Sequence, residues 1–313
     1  MEFELTILGS SSATPSKGRF QSAQILKIHN EYFMIDCGEA AQYQLSRYKI
    51  NHSKISHIFI SHLHGDHFFG LIGLLSTMNL YGRKNPVHLL APPGLDEIIQ
   101  TQLKYSQTVL QYPLHFTCLD STKSEHIVDH PLVDVYTIPL QHRIHCNGFL
   151  IKEKKKPLKI NKSKLPKELG LADIAQLKLG NDVYDASGKL IAATADVCMP
   201  ELKSRSYAYC SDTIYTDSFL DIIHGVDLLY HESTFLDELA DRATKTFHTT
   251  AKQAGLIAKK AEVGKLIIGH FSSRYYDIEP FLEEAGAIFK NTFLGIEGST
   301  FSISDQIEDE TCN

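Results

Sequence analysis

The sequence predicts an α/β fold. Segments rich in β-branched and aromatic residues alternate with segments whose apolar residues recur at helical spacing. Polar side chains of the kinds that bind metals follow directly after several of the strand-like segments. Because open α/β sheets place their sites at the carboxyl ends of strands, the second observation also locates a candidate site. The chain has 313 residues, 43% of them hydrophobic, which is enough for one large α/β domain or two.

The predicted elements begin at the amino terminus, where polar and apolar residues alternate. Strands are predicted at 3–8, 22–28, 32–36, 57–61, 87–90, 132–138, 146–151, 206–211, 226–230 and 265–269. Helices are predicted at 39–48, 67–81, 93–104, 250–262 and 279–288. The helix at 250–262 has a hydroxyl cap in Thr249 and Thr250, followed by alanines and Ile257 at helical spacing.

Four metal-binding side chains follow the strand-like run at 58–61: His62, His64, Asp66 and His67. His62 and His64 are two residues apart, so an extended backbone would point both imidazoles the same way. Asp66 and His67 lie on the turn beyond and can face a second ion. The alternative is a polar loop that happens to be rich in histidine, but four such groups beside a buried strand would carry a desolvation cost. The cluster therefore predicts a dinuclear metal site.

Two ions need further ligands, and three distant residues lie just after strand-like runs: His142, Asp212 and His270. Taken singly, each could be a hydrogen-bonded histidine or a turn-forming aspartate. Together with the cluster they are better explained as ligands. Imidazole and carboxylate without thiolate suit Zn²⁺, whereas Mn and Fe fit less well. Two such ions, about 3.5–4 Å apart, can activate water against a phosphate ester, so hydrolysis is the expected chemistry.

These residues resemble the metallo-β-lactamase superfamily, and within it the tRNase Z family of ribonucleases, over nearly the whole chain. The signature H-x-H-x-D-H at 62–67 is shared by lactamases, thioesterases, arylsulfatases and nucleases. Further motifs narrow the resemblance: the run at 61–75, the HEAT-like 231–234, the HST-like 248–250, the PxKxxT-like 15–20 and the segment 272–275. Three positions depart from the family pattern, namely Ser233 for Ala, Thr249 for Ser and Phe20 for Thr.

The resemblance implies an αβ/βα sandwich of two mixed β-sheets flanked by helices, with an inserted flexible arm. It also implies two Zn²⁺ per chain. One ion would be held by His62, His64 and His142, the other by Asp66, His67 and His270, with Asp212 bridging both. The implied reaction is removal of the 3′ trailer from precursor tRNA by metal-activated hydroxide, which leaves a tRNA 3′-hydroxyl and a 5′-phosphorylated trailer.

Three side chains are the expected catalytic groups. Asp66, near the attacking water, is the expected general base. Taken without the resemblance, His248 and Glu232 would be read as ordinary residues. With it, His248 is the expected proton donor to the leaving 3′-oxygen, and Glu232 orients and charges its imidazole. Asp36 and Glu39 could be mistaken for a catalytic carboxylate pair. We interpret Asp36 as a helix cap at a strand-to-helix turn, and the resemblance makes it structural.

The net charge of −6 argues mildly against a nucleic-acid partner, but the distribution of lysines favours one. Eight lysines lie between positions 152 and 167 against the single Glu153. A solvated linker is one explanation. The resemblance implies instead an arm at residues 152–195, inserted into a single domain of residues 1–313, that grips the body of tRNA. The residues expected to contact RNA are Lys154, Lys155 and Lys156, together with Lys17 and Arg274.

The remaining expectations concern location and assembly. No apolar run approaches the roughly 18 residues of a membrane span, and the amino terminus lacks the pattern of a signal peptide, so a cytoplasmic protein is expected. The resemblance implies a homodimer. One rival function is hydrolysis of a small ester, thioester or sulfate, which needs no lysine-rich arm. A second rival is an inactive RNA-binding scaffold, which predicts missing ligands, whereas all seven are present.

Overall fold

The computed structural model describes residues 2–16 and 18–304. Its strands are β1 (Phe3–Gly9), β2 (Ser11–Ser12), β3 (Ala23–Ile28), β4 (Glu31–Cys37), β5 (Ile55–Phe59), β6 (Val87–Ala91), β7 (Leu114–Cys118), β8 (His126–Asp129), β9 (Val133–Pro139), β10 (Asn147–Glu153), β11 (Val183–Tyr184), β12 (Leu190–Ala192), β13 (Ser206–Cys210), β14 (Leu228–Glu232), β15 (Lys265–Gly269), β16 (Phe271–Ser272), β17 (Thr292–Leu294) and β18 (Thr300–Ser302). Its α-helices are α1 (Ala41–Arg47), α2 (Gly65–Phe68), α3 (Leu71–Leu80), α4 (Leu95–Tyr105), α5 (Leu171–Lys178), α6 (Thr194–Val197), α7 (Leu220–Ile223), α8 (Ala240–Thr246), α9 (Ala251–Lys260) and α10 (Glu279–Ile288).

Two seven-stranded sheets form the framework. The first has the order β18-β1-β3-β4-β5-β6-β7, antiparallel from β18 to β4 and parallel from β4 to β7. The second has the order β17-β15-β14-β13-β10-β9-β8, parallel from β17 to β13, with antiparallel pairing of β13 to β10 and of β9 to β8. Both sheets are therefore mixed, as the resemblance implied.

Three apolar clusters define the layers. One packs α1, α3 and α4 on the first sheet, through residues such as Leu45 and Leu75. A second lies between the sheets, where Phe33 and Phe59 of the first join Phe149 and Tyr209 of the second. The third packs α9 and α10 on the second sheet. The order helix, sheet, sheet, helix confirms the predicted αβ/βα sandwich.

The chain forms two compact units. Residues 1–152 and 206–303 hold both sheets, and residues 153–205 form the second unit. The second unit contains α5, α6 and the β11–β12 hairpin around a small core of Leu177, Val183, Ala192 and Val197. The predicted arm at 152–195 lies almost wholly within this unit, which continues to Arg205.

Local departures from the predicted elements have physical causes. The helix predicted at 67–81 is divided into α2 and α3. At the break the amide of Gly70 donates to the carbonyl of Cys37 instead of to a helical carbonyl, and a Cβ on Gly70 would overlap the carbonyl of Gly38. Edge strands β7 and β8 were not predicted, since their residues are largely exposed or half-buried and lack strong apolar alternation. The predicted cap of α9 is confirmed by a hydrogen bond from the amide of Gln253 to Thr250 Oγ1. Within the described part of the chain, no helix is both long and apolar enough to cross a membrane.

Candidate metal centre and active site

The carboxyl ends of neighbouring strands bring the predicted residues together. In the second sheet Asp212 follows β13, Glu232 ends β14 and His270 follows β15. These strands are parallel neighbours, so the three side chains reach the same edge. Asp212 and His270 have left-handed backbones, with φ of 59° and 60°. Such conformations cost about 1–3 kcal/mol each in non-glycine residues and concentrate at functional sites.

The first group of donors contains His62, His64, His142 and Asp212. His62 Nε2 and His142 Nε2 lie 2.9 and 3.2 Å from His64 Nδ1. Asp212 Oδ2 lies 3.5 Å from His62 Nε2 and 3.9 Å from His142 Nε2. The predicted convergence of the two imidazoles of the cluster is therefore present, although β5 ends at Phe59 and both histidines lie beyond it.

The second group contains Asp66, His67 and His270. Asp66 and His67 lie on the short helix α2. The Nε2 atoms of His67 and His270 are 3.3 Å apart, and each lies 3.5 Å from Asp66 Oδ2. Asp212 Oδ1 lies 3.3 Å from His67 Nε2 and 3.1 Å from His270 Nε2. One oxygen of Asp212 thus faces each group, which is the arrangement of a bridging carboxylate.

In four of these imidazole rings, Nδ1 points away from the donor groups and forms a hydrogen bond with a protein atom. The Nδ1 contacts are His62 with Ser61 Oγ (3.0 Å), His67 with Asp36 Oδ2 (2.7 Å), His142 with the carbonyl of Phe247 (3.0 Å) and His270 with Thr234 Oγ1 (2.9 Å). The carboxylate and the carbonyl can only accept. Ser61 and Thr234 donate their own hydroxyl protons to Asp36 and Glu232, so they accept from the imidazoles as well.

In its neutral, metal-binding form each of the four rings therefore carries its proton on Nδ1 and turns an Nε2 lone pair inward. Lone pairs and carboxylates that face one another at these distances repel unless a proton or a metal cation lies between them, and outer hydrogen bonds of this kind orient metal-binding histidines. The donor set fits borderline-soft divalent ions such as Zn²⁺.

The charge of the site favours cations as well. Burial alone would lower the pKa of His67, but three neighbouring carboxylates outweigh it and hold this pKa well above its usual range. Asp212 and Asp66 are also buried, which would raise their pKa values, but the surrounding histidines hold both well below the usual range. Negative charge that favours an imidazolium in this position equally favours a bound cation.

Asp36 does not cap a helix, so that interpretation was wrong. Its carboxylate accepts from the amide and hydroxyl of Ser61, from His67 Nδ1 and from the hydroxyl of Tyr209 (2.6 Å). Helix α1 begins after Ala40 and has no side-chain cap. Asp36 instead orients the ligand His67, which agrees with the structural role that the resemblance implies. Its left-handed φ of 55° is the local signature, and no spacing in the sequence reveals it.

His248 and Glu232 form a buried pair beside the metal-binding groups. His248 Nδ1 donates to Glu232 Oε1 at 2.9 Å. Burial would lower the pKa of His248, but the charge and hydrogen bond of Glu232 outweigh it and raise this pKa to about 9. Glu232 is held by further donors, the amide of Thr213 and the hydroxyl of Thr234. The hydroxyl of Thr249, which replaces the family's serine, donates to the carbonyl of Thr213.

His248 also lies near Asp212 and His270, close enough for these three to form a further possible metal-binding group. Its Nδ1 is 4.0 Å from Asp212 Oδ2, compared with 2.9 Å from Glu232 Oε1. Since the nitrogen facing the cluster is the one bonded to Glu232, we group His248 with Glu232 and not with the candidate ligands.

The groups open into a cavity of about 680 Å³, a size typical of ligand sites. Besides the ligands, its lining includes Pro15, Phe69, Arg143, Lys245 and Phe247.

The residues predicted to contact RNA lie elsewhere or outside the described chain. Lys17 lies outside the described residues, and Arg274 is exposed but does not line the cavity. Within the second unit, Lys155 pairs with Glu201 and Lys156 with Glu153.

The fold and the donor set define the class of protein. The metallo-β-lactamase fold protein YhfI of Bacillus subtilis has a similar structure, with a TM-score of 0.68 over 96% of this chain and 100% of that one, at 17% identity. The family model for the anti-Pycsar protein Apyc1 matches residues 3–154, just under half of the chain. The protein has a metallo-β-lactamase fold with histidine and aspartate metal-binding groups at the carboxyl ends of its strands.

Relatives over the full length identify the family. A ribonuclease Z of Cytophaga hutchinsonii is 76% identical over 310 residues, which are 99% of each chain. The crystal structure of the short form of human tRNase Z has a TM-score of 0.69 and 27% identity, covering 97% of this chain and 100% of that one. The chain belongs to the ribonuclease Z family. The predicted family, fold and enzyme class, a hydrolase with nuclease activity, are confirmed.

Proposed function

We propose that the protein is a zinc-dependent endoribonuclease that removes the 3′ trailer from precursor tRNA. Cleavage leaves a 3′-hydroxyl on the tRNA and a 5′-phosphate on the trailer. The observation that carries this proposal is the shared cavity, in which Asp212 faces both donor groups and the His248–Glu232 pair lies beside them. Membership of the ribonuclease Z family supports tRNA as the substrate.

Two bound zinc ions would lower the pKa of water and neutralise charge on the phosphate. The protein residues supply the proton transfers. Asp66 Oδ2 lies among the donors of the second group and also accepts from the amide of Ala13 at 2.7 Å, which fixes its direction. We assign Asp66 as the group that accepts the proton of the attacking water.

The leaving group is a ribose 3′-oxygen, which needs a proton as the bond breaks. We assign His248 as its donor, because this side chain lines the cavity and its pKa of about 9 keeps the ring an imidazolium. Glu232 holds the proton on Nδ1, and the proton on Nε2 is the one transferred to the leaving oxygen. Glu232, which is fully buried, orients the ring and stabilises its charged form.

The second unit supplies the proposed grip on the body of tRNA. Lys159, Lys162, Lys164 and Lys167 are exposed on it and are available to phosphates. Among the predicted contacts, Lys156 is only 10% exposed and its ammonium pairs with Glu153. Lys156 would therefore stabilise the structure of the segment more than it would contribute positive charge for binding tRNA.

Three wider proposals come from the resemblance. The segment at 152–195 acts as an arm inserted into a single domain of residues 1–313. The protein works as a homodimer, in which the arm of one subunit serves tRNA at the other's site. Its place of action is the cytoplasm.

The test is incubation of the pure protein with a 3′-extended tRNA, with products mapped to the nucleotide. A single cut at the trailer junction with the stated end groups is expected. It should stop with a chelator and return with Zn²⁺ more fully than with Mn²⁺. Asp66→Ala, folded by circular dichroism, is the matched inactive control. Turnover of small esters without cleavage of the RNA would overturn the proposal in favour of a small-molecule hydrolase.

A further inference from the structure

Two phenyl rings in the cavity have no role in metal binding or proton transfer. Phe69 is 65% exposed and Phe247 is 39% exposed, and both line the cavity that holds the ligands. Large aromatic side chains cost free energy when they remain in water, and exposed apolar surface inside a polar site marks a place for a binding partner. Both rings are therefore available to contact a substrate.

Phe69 is held in place by the metal-binding sequence itself. The ring of Phe69 lies over Gly65, so closely that a Cβ on residue 65 would overlap the ring. Gly65 stands between the ligands His64 and Asp66, which makes the ring a direct neighbour of the donor groups. The ring of Phe68 braces it edge-on at 5.0 Å between centroids. One face of Phe69 is therefore supported by backbone and the side chain remains largely open.

Phe247 is held by the other donor group. It follows α8 and has a left-handed backbone, with φ of 58° and ψ of 48°. This conformation, costly for an aromatic residue, points its carbonyl at His142 Nδ1, 3.0 Å away. The ring stands perpendicular to the imidazole of His142, at 6.5 Å between centroids. The strained backbone thus fixes both a metal ligand and an exposed ring in the cavity.

The charged residues of the lining indicate the kind of substrate. Arg143 and Lys245 line the cavity and are exposed. Among the exposed residues that the structure describes in this lining, Glu39 is the one acidic residue. Arg143 Nη2 lies 3.1 Å from His64 Nε2, so the cation lies beside the donor groups. Aromatic rings flanked by cations are the combination that binds single-stranded nucleic acid, through base stacking and phosphate contacts.

We propose that Phe69 and Phe247 are stacking platforms for the unpaired bases of the nucleotides that flank the scissile phosphodiester. The inference rests on the proposed function and extends it, because it makes the site selective for a single-stranded junction. Each ring is adjacent to a metal ligand, so a phosphate at the donor groups would place its neighbouring nucleosides within reach of the rings. A paired end keeps its bases stacked in the duplex and could not use them.

The test is a double-mutant cycle that combines variants of the protein with variants of the RNA substrate. Phe69→Leu and Phe247→Leu remove the aromatic face but keep an apolar side chain, and at 247 the backbone carbonyl remains. Substrates are a 3′-extended precursor tRNA and two copies with an abasic nucleotide immediately before or after the cleaved bond. On the full substrate, each variant should raise KM by about 5- to 100-fold, the range of base stacking. On one of the two abasic substrates, wild type and variant should have the same KM.

Controls separate stacking from damage to the site. Phe69→Tyr keeps an aromatic face and should behave as wild type. Tyr105→Leu removes an aromatic side chain that is 79% exposed but does not line the cavity, and should change nothing. Bound zinc, measured by elemental analysis, should be equal in all variants. Equal losses on all three substrates, or none, would overturn the stacking role alone. If the wild type cleaves no tRNA, the proposed function fails and the inference fails with it.

Discussion

Thr234 accepts a hydrogen bond of 2.9 Å from Nδ1 of His270. The same hydroxyl donates its proton to Glu232 Oε2 at 2.6 Å, so it cannot also donate to the imidazole. His270 is thereby fixed with its lone pair on Nε2, toward the second donor group. One hydroxyl therefore connects the His248–Glu232 pair with the candidate ligand His270, and the geometry of each depends on the other.

Replacing Thr234 by Val should weaken metal binding without unfolding the protein. Valine has a similar shape but leaves His270 Nδ1 and one oxygen of Glu232 without this partner. Loss of such an orienting hydrogen bond typically costs about 10- to 100-fold in metal affinity. Competition with a zinc chelator measures this directly, independently of turnover. Thr234→Ser keeps the hydroxyl and should bind zinc almost as the wild type does. Equal affinity for Thr234→Val would show that the hydroxyl does not position the ligand.

His248→Ala should slow tRNA cleavage by about 10²–10⁴-fold, the usual contribution of a positioned proton donor. Turnover of a nitrophenyl phosphodiester should barely change, because nitrophenolate leaves as a stable anion and needs no proton. Glu232→Gln should show the same selectivity to a lesser degree, since it removes only the charge that stabilises the imidazolium. Rates on both substrates, measured in one preparation, give the decisive ratio.

Metal content is the control for this pair. Neither residue is assigned as a ligand, so zinc per chain should match the wild type in both variants. Equal losses on tRNA and on the small ester would mean that His248 supports the metal site or the fold. The proximity of His248 to Asp212 and His270 makes this control necessary.

The lysines of the second unit should govern the salt dependence of tRNA binding. Changing Lys159, Lys162, Lys164 and Lys167 to Gln should weaken tRNA binding and flatten its salt dependence, by about 0.7–0.9 in slope for each phosphate that is no longer neutralised. Hydrolysis of a small phosphodiester should be unaffected. A control with the same change of net charge replaces four exposed lysines of the other unit, Lys49, Lys84, Lys104 and Lys290. An unchanged affinity and slope in the first variant would make the segment a simple linker.

The grouping of the candidate ligands could be predicted from sequence because their positions are set by local rules. Four lie within six residues, and His142, Asp212 and His270 each follow a strand, where parallel neighbours place side chains at one edge. The structure then shows what one-dimensional spacing does not contain. Which oxygen of Asp212 faces which group depends on the backbone at φ 59°.

The residues that hydrogen-bond to the candidate ligands could not be predicted from the sequence, because their partners are distant along the chain. Asp36 and Tyr209 are 173 residues apart and meet only where the sheets pack. Thr234 was visible within the HEAT-like motif, yet its hydrogen bond with His270 depends on the β14–β15 pairing. A partial signal existed for Phe69, since a glycine between two ligands suggests a close neighbour.

Glu153 and Arg205, where the chain enters and leaves the second unit, form a buried ion pair. Glu153 and Arg205 are 6% and 2% exposed, and the guanidinium donates to both carboxylate oxygens, at 2.8 and 2.7 Å. Burial would raise the pKa of Glu153, but hydrogen bonds from Arg205 and Lys156 outweigh it and hold this pKa below its usual 4.5. The pair is therefore a pH-dependent element of the unit.

Because the pKa of Glu153 is lower in the folded state, its stabilising effect is complete above about pH 4.5 and is lost as the pH falls through the lowered value. Amide hydrogen-exchange protection in the second unit, corrected for intrinsic rates, should follow this course. Glu153→Gln removes the negative charge that pairs with the buried guanidinium of Arg205, and should reduce protection even at pH 7. Glu201→Gln breaks the exposed pair with Lys155 and should change protection little. Full protection in Glu153→Gln at neutral pH would show that the pair does not hold the segment together.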